Sequence, residues 1–262
     1  DGKAWLAAAD GLRRFDGFTW ERFDTNSGLP STFIRAVEVT RAGELWVGSD
    51  AGAGVFNYRR RSYDPRGSQT GLANGNVRQI VEDAEGTLWF SCDQWPETSV
   101  RGGGLTQCRS GVWKTAGRAE GLPMDYVIGY FRDSKARQFA LTPRGWTQWQ
   151  EDKWGPPLNR GHEVEGCVLH MAEAGDGTLF AQGERQLLAL RNSKWQVVDR
   201  QTTLVTATRK GEIIAACRDD ARGLMWFSVW DGEKFVRASA VTSCLPGARL
   251  YRLREAPDGS VW

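Results

Sequence analysis

Apolar and polar positions alternate with a period of two along short stretches of the chain. Such runs cover residues 33–39, 77–83, 127–133, 167–173, 204–208 and 250–255. Apolar residues spaced by two predict half-buried strands. Each run leads into a short polar turn: TRAG, DAEG, DSKA, AGDG, TRKG and APDG. Residues of this kind suit tight hairpins, because Gly takes positive φ freely and Asp bonds its own backbone. A core of Gly, two residues and a large apolar residue comes next. It stands at residues 2–5, 43–46, 86–89, 136–139, 177–180, 211–214 and 259–262, as GKAW, GELW, GTLW, ARQF, GTLF, GEII and GSVW. A third strand and a further turn follow (FDGF, CRSGV, QEDK, RNSK, WDGEK). A fourth strand then carries an aromatic: Trp20, Tyr63, Trp113, Trp154, Trp195 or Phe235. No long helical pattern interrupts the series.

Four antiparallel strands recurring at steps of 34 to 50 residues are the mark of a propeller blade. The pattern therefore predicts an all-β fold, a β-propeller of four-stranded antiparallel blades, about six to seven in number, with residues 1–262 as one propeller domain. The first core falls at a second strand and the last at the equivalent point of another blade. The run at 250–255 can pair beside Trp5 and close a ring of six. The alternative is a larger ring of which this is most, and the surplus core at 259–262 suggests a window of a longer chain.

Composition adjusts this picture at three points. The 13 Trp residues fall mostly at repeated strand positions, so Trp5, Trp46, Trp89 and Trp262 are expected in the core. A net charge of +2 gives no strongly basic surface, so nucleic acid is not an expected partner. The five cysteines form no close CxxC pair, which argues against a metal site. Cys92 and Cys108 lie on adjacent strands of one blade, and the sequence leaves open whether they are a disulfide or two buried thiols.

The blocks GLPSTFIRAVEVTRAGELWVGSDAG, GLANGNVRQIVEDAEGTLWFS and EGLPMDYVIGYFRDS resemble the two-component regulator propeller repeat. In that motif GLP precedes VxxIxxDxxGxLWxGT and then GLxRFDG, and DGKAWLAAADGLRRFDG supplies the tail here. Four repeats over residues 1–154 match in phase. The later half departs: Phe139, Phe180 and Ile214 replace Trp, and Ala136 replaces the turn Gly. The resemblance implies an extracytoplasmic, periplasmic sensor region joined to a signalling output domain in a parent membrane protein.

A propeller presents two ends. The turns between strands one and two, and three and four, are short and regular. The loops between strands two and three (50–54, 93–104, 143–145, 218–223), and those between blades, vary. Variable loops on a rigid scaffold are where binding residues concentrate. The candidates for a small molecule, a glycan or a partner protein are Trp95 and Arg101 in the longest insertion, with Tyr126, Arg144 and Arg222; Asp219 is a further one. A homodimer is the other partner expected. Trp95 either stacks on a ligand or folds back over its blade. Chemistry has little to work with. Of the two histidines, His170 with Glu173 is the best acid–base pair, and a lining role for His170 is the plainer reading. The Asp-Gly pairs are turns without calcium-loop spacing, Arg59, Arg60 and Arg61 suit a solvated edge strand, and no cofactor or catalytic set is expected. The sequence thus predicts a non-enzymatic sensor or ligand-binding module, with an interaction scaffold as the alternative and a lyase-like propeller as the remaining one.

Overall fold

In the computed structural model, the residues described are 4–66, 71–93, 103–158, 167–183, 186–219 and 224–238. They form an all-β fold of propeller blades, with 23 strands in six antiparallel sheets and two single-turn 3-10 helices. The first sheet has three strands: β1 (Ala4–Ala8), β2 (Gly11–Phe15) and β3 (Trp20–Phe23). The second runs β4 (Ile34–Val39), β5 (Leu45–Ser49), β6 (Gly52–Asn57) and β7 (Ser62–Asp64). The third runs β8 (Val77–Glu82), β9 (Leu88–Cys92), β10 (Gly104–Arg109) and β11 (Val112–Ala116). The fourth runs β12 (Gly129–Arg132), β13 (Gln138–Thr142), β14 (Gly145–Gln150) and β15 (Lys153–Trp154). The fifth runs β16 (Val168–Glu173), β17 (Leu179–Gly183), β18 (Leu187–Arg191) and β19 (Lys194–Asp199). The sixth runs β20 (Thr202–Ala207), β21 (Ile213–Asp219), β22 (Leu224–Trp230) and β23 (Phe235–Arg237). Every sheet follows chain order, as the repeat predicts. The expected run at 250–255, the core at 259–262 with Trp262, and Cys244 lie outside the described residues.

The chain divides into two compact units. One comprises Asp1–Arg132, Gln138–Pro143 and Thr147–Pro156; the other comprises Asp133–Arg137, Arg144–Trp146 and Pro157–Trp262. In the first unit each apolar cluster lies between consecutive sheets. Ala36, Trp46 and Ala53 of the second sheet pack on Val77, Ile80, Leu88 and Phe90 of the third. Leu12 and Phe23 of the first meet Ile34, Leu45, Val47 and Phe56 of the second. Aromatic edges meet faces here, as ring quadrupoles favour: Trp46 with Phe90 at 5.4 Å, and Phe23 with Phe56 at 5.5 Å. In the second unit Phe180, Leu187 and Ala189 of the fifth sheet pack on Val205 and Ile213 of the sixth. Trp46 is buried as expected, whereas Trp5 and Trp89 are only half-buried. Trp89 lies flat on Tyr130 at 4.3 Å and donates its Nε1–H to Asp83 at 2.8 Å.

That last bond explains the sequence DAEGTLW. The Asp83 carboxylate accepts from the backbone N–H of Glu85 and Thr87 and from Trp89, so one side chain caps the turn and seats the aromatic. Gly86 supplies the left-handed residue at φ +79°. The GL dipeptides ahead of three sheets also have one cause. A Cβ on Gly28 would stand 2.4 Å from the Arg61 carbonyl oxygen, one on Gly71 2.4 Å from Trp113 Cβ, and one on Gly121 2.4 Å from the Trp154 carbonyl oxygen. In each case the glycine backs onto the fourth strand, or its start, of the sheet it introduces. Leu29 and Leu122 behind it are buried.

The structure corrects two expectations and answers one open question. Arg59, Arg60 and Arg61 are not an edge strand but the exposed turn between β6 and β7, where Arg61 takes φ +51°. The turns at 50–54 and 143–145 are not irregular loops. Each links its strands through two residues, with Gly52 and Gly145 at positive φ. Cys92 and Cys108 are free thiols: Cys92 pairs with Gly104 and Cys108 with Leu88, so they stand at opposite ends of one strand pair.

Candidate functional site

Sheets two, three and four each place one residue at a common point beside the start of their first strand. In sheets two and three that strand carries a bulge. The register shifts between Ile34 and Ala36 and again between Val77 and Gln79, leaving Arg35 and Arg78 as the extra residues. A bulge re-aims the side chain it inserts. Both arginines turn to Asp93, the residue after β9. Arg35 Nη1 donates to Asp93 Oδ2 at 2.9 Å, and Arg78 Nη1 to the same oxygen at 3.1 Å. Asp93 is 1% exposed, against 22% for the Arg35 side chain and 36% for that of Arg78. Its backbone is fixed on both sides: Asp93 N–H donates to the Asn76 carbonyl, and Val127 N–H donates to that of Cys92.

Tyr126, just ahead of Val127, completes the group. Arg78 Nη1 donates to its hydroxyl oxygen at 2.6 Å, and the Arg78 guanidinium lies 5.5 Å from its ring centre. Arg35 is backed in the same way by Phe33, at 4.8 Å. Phe33 and Tyr126 hold equivalent places ahead of their strands, two residues before Arg35 and Ile128. Two cations therefore converge on one buried carboxylate, each with a ring beside it. Bonds between charged partners are the stronger class of protein hydrogen bond. A buried carboxylate held by two arginines is fixed in place by them, and it in turn fixes where they point.

The sequence candidates separate on this geometry. Tyr126 belongs to the group. Arg144 is an exposed residue of the two-residue turn between β13 and β14, in the second unit. Trp95, Arg101 and Arg222 lie outside the described residues, as do His162 and the side chain of Asp219. His170 and Glu173 do not form a pair: they are three residues apart on β16, on opposite faces, and Ser134 occupies both Glu173 oxygens through its N–H and hydroxyl at 2.6 Å. Arg35, Arg78, Asp93 and Phe33 were not singled out by sequence reasoning. The available signal was a charged residue at the same place in FIRAVEV and NVRQIVE, inside an otherwise apolar alternation. The sheets of the second unit bulge at the same point with Leu169 and Thr203, so the bulge belongs to the blade plan and the arginines are particular to two blades. Among the described residues no group of His, Cys, Asp and Glu is arranged to hold a metal, and no helix is long and apolar enough to cross a membrane.

Solved structures share this fold. The extracellular domain of a protein described as a hybrid two component system from B. thetaiotaomicron superposes with a TM-score of 0.75 at 17% identity, over 98% of this chain and 35% of that one. The chain thus spans about a third of that structure's length. The WD40 propeller domain of Doa1 superposes at 0.70, with 15% identity over 100% of this chain and 85% of that one. A virginiamycin B lyase from Staphylococcus aureus superposes at 0.59, with 10% identity over 84% and 73%. At these identities the likeness is one of fold, and that fold is found both in the extracellular domain of a two component system and in a lyase. No curated protein matches the chain in sequence. The family model described as two component regulator propeller matches residues 71–94, the stretch that runs through Arg78 to Asp93. Residues 71–94 are therefore a two-component regulator propeller repeat, set in a chain whose other blades follow the same plan.

Proposed function

We propose that the chain is a non-enzymatic recognition propeller of a signalling protein, receiving its ligand at the group of Arg35, Arg78 and Tyr126. The observation that carries this reading is the convergence of side chains from three consecutive sheets on the buried Asp93. Such a group costs stability to assemble. Burying a carboxylate is repaid by its partners only when geometry is good, and an apolar replacement often serves folding equally well. Charged groups gathered at one end of a scaffold built from apolar clusters are more readily explained by recognition. The repeat match at residues 71–94 and the shared fold with an extracellular domain support placing the module outside the cytoplasm, coupled to an output domain of its parent protein. Engagement of Glu173 by Ser134 weighs against the acid–base pair that an enzymatic reading would use first.

The test is a thermal-shift screen of small molecules against the protein and its Arg78→Gln and Tyr126→Ala variants. Ligands that raise the melting temperature of the parent but not of the variants are expected. Ligands that stabilise all three equally would place recognition elsewhere. A second reading, an interaction or dimerisation scaffold, is favoured by Phe18. This residue is 94% exposed in the turn between β2 and β3, beside the Phe15–Trp20 ring pair at 4.9 Å. Light scattering of the protein and of Phe18→Ser separates the two: a dimer lost in the variant supports the scaffold, and a monomer in both removes it.

A further inference from the structure

We infer that the group at Asp93 recognises a small carboxylate carried on a flat apolar body. The inference rests on the reading that this group is a ligand site, and it names the chemistry of the ligand. Charge is the first argument. Among the described residues two guanidinium groups are bonded to one carboxylate, so these three side chains together carry a net charge of +1. The carboxylate of Asp125, the residue before Tyr126, accepts from the backbone N–H of Arg118 at 2.7 Å and bonds to neither arginine. One further negative charge would complete the set.

Unused hydrogen-bonding capacity is the second argument. Arg35 and Arg78 each reach Asp93 through Nη1 alone, and both use the same oxygen. Arg78 spends the same nitrogen on Tyr126. A guanidinium has five N–H donors in a planar fork, so most of each fork remains open among the described residues. Arg35 Nε is buried without a hydrogen-bond partner there. A buried donor left unsatisfied costs free energy, and a ligand oxygen would remove that cost. Guanidinium forks match the two oxygens of a carboxylate.

Shape is the third argument. Phe33 is 39% exposed, and its ring lies under Arg35 as that of Tyr126 lies beside Arg78. Each cation therefore has an apolar plane next to it that a flat ligand body can cover. Asp93 holds both forks in place before any ligand arrives, so little ordering remains to be done on binding.

Benzoate is the probe, with benzamide as its neutral counterpart of the same shape, and the readout is the arginine Nε–H resonances in NMR titrations. Benzoate is expected to move the Arg35 and Arg78 signals to saturation, and benzamide to leave them in place. Arg78→Gln should weaken benzoate by roughly tenfold or more, the scale of one bond between charged partners. Arg60→Gln removes the same charge from an exposed turn of the same unit and should change nothing, which separates recognition from general attraction. Comparison of the two compounds on the unaltered protein does not depend on any variant folding. Equal binding of benzoate and benzamide at these residues overturns the carboxylate while the ligand site stands. Tighter binding of inorganic sulfate than of benzoate overturns it in favour of a tetrahedral anion. Signals unmoved by benzoate also overturn it. If screened ligands then prove indifferent to Arg78→Gln and Tyr126→Ala, the underlying reading falls as well.

Discussion

Ala136 shows what one residue costs when a repeat drifts. Its counterparts Gly43, Gly86, Gly177 and Gly211 take φ between +79° and +83°, and Ala136 is held at +63° in the same turn. A side chain in the left-handed region costs about 1–2 kcal/mol. Asp133 keeps it there, accepting from the N–H of Lys135 and of Arg137. Ala136→Gly is therefore expected to stabilise the protein by about 1 kcal/mol, the relieved strain less the entropy glycine adds to the unfolded chain, as a rise in the urea midpoint. Cys92 gives a second prediction. It is fully buried, and burial pushes its thiol up to about 12 from an ordinary 9.0. The folded state thus favours the neutral thiol. Its contribution to stability is complete below about pH 9 and is lost as pH rises toward 12. Iodoacetamide at mildly alkaline pH should label Cys108, which is partly exposed, well before Cys92; equal rates would contradict the burial. At this scale the sequence was only partly legible. Tyr126 was visible as an aromatic in a loop. Arg35 and Arg78 were not, because an arginine within a strand reads as its solvated face, and only the bulge aims it at a carboxylate 58 or 15 residues away.

Among the strands, the repeat was legible because each blade solves the same local problems with the same residues. The turn between strands one and two needs a left-handed residue and a cap, and DAEG supplies both. The links between sheets were less legible, since their partners are about 40 residues distant. Arg41 N–H donates to Glu82 at 2.7 Å across sheets two and three, and Ser134 N–H to Glu173 at 2.6 Å within the second unit. Glu82 and Glu173 each end the first strand of a sheet and cap the turn of the preceding one, a role no local pattern announces. The 3-10 turns at Thr25–Ser27 and Arg118–Glu120 were likewise absent from the strand pattern, though both end in the left-handed glycines Gly28 and Gly121. Those glycines set a third prediction. Gly28→Ala and Gly121→Ala combine positive φ with a Cβ 2.4 Å from a carbonyl oxygen, whereas Gly43→Ala combines positive φ with open space. Gly43→Ala should cost about 1–2 kcal/mol, and the other two distinctly more, by chemical denaturation. Equal losses at all three would mean that backbone strain alone sets the requirement and the approach to the fourth strand does not.

For the molecule as a whole, the placing of the apolar clusters decides how damage spreads. Each cluster named above lies between two consecutive sheets, and within a unit each sheet leans chiefly on its neighbours. Stability in such an array is close to a sum of blade terms and nearest-neighbour terms. Phe90 sits at the junction of sheets two and three, against Trp46 at 5.4 Å and Trp113 at 5.2 Å, and is fully buried. Phe90→Ala should cost roughly 3–5 kcal/mol. Backbone amides exchange by local opening, whose free energy depends on nearby packing. Hydrogen exchange in the variant should therefore accelerate in β4 to β11 and stay near the parent rate in β16 to β23. Since Arg35 lies on β4, Arg78 on β8 and Asp93 just beyond β9, the same variant should loosen the group at Asp93 without touching any of its side chains. Weaker benzoate binding in a folded Phe90→Ala protein would show that the two arginines are held in place by the junction of their sheets. Uniform acceleration across all sheets would instead mean that the blades open as one cooperative body, and the nearest-neighbour account would fail.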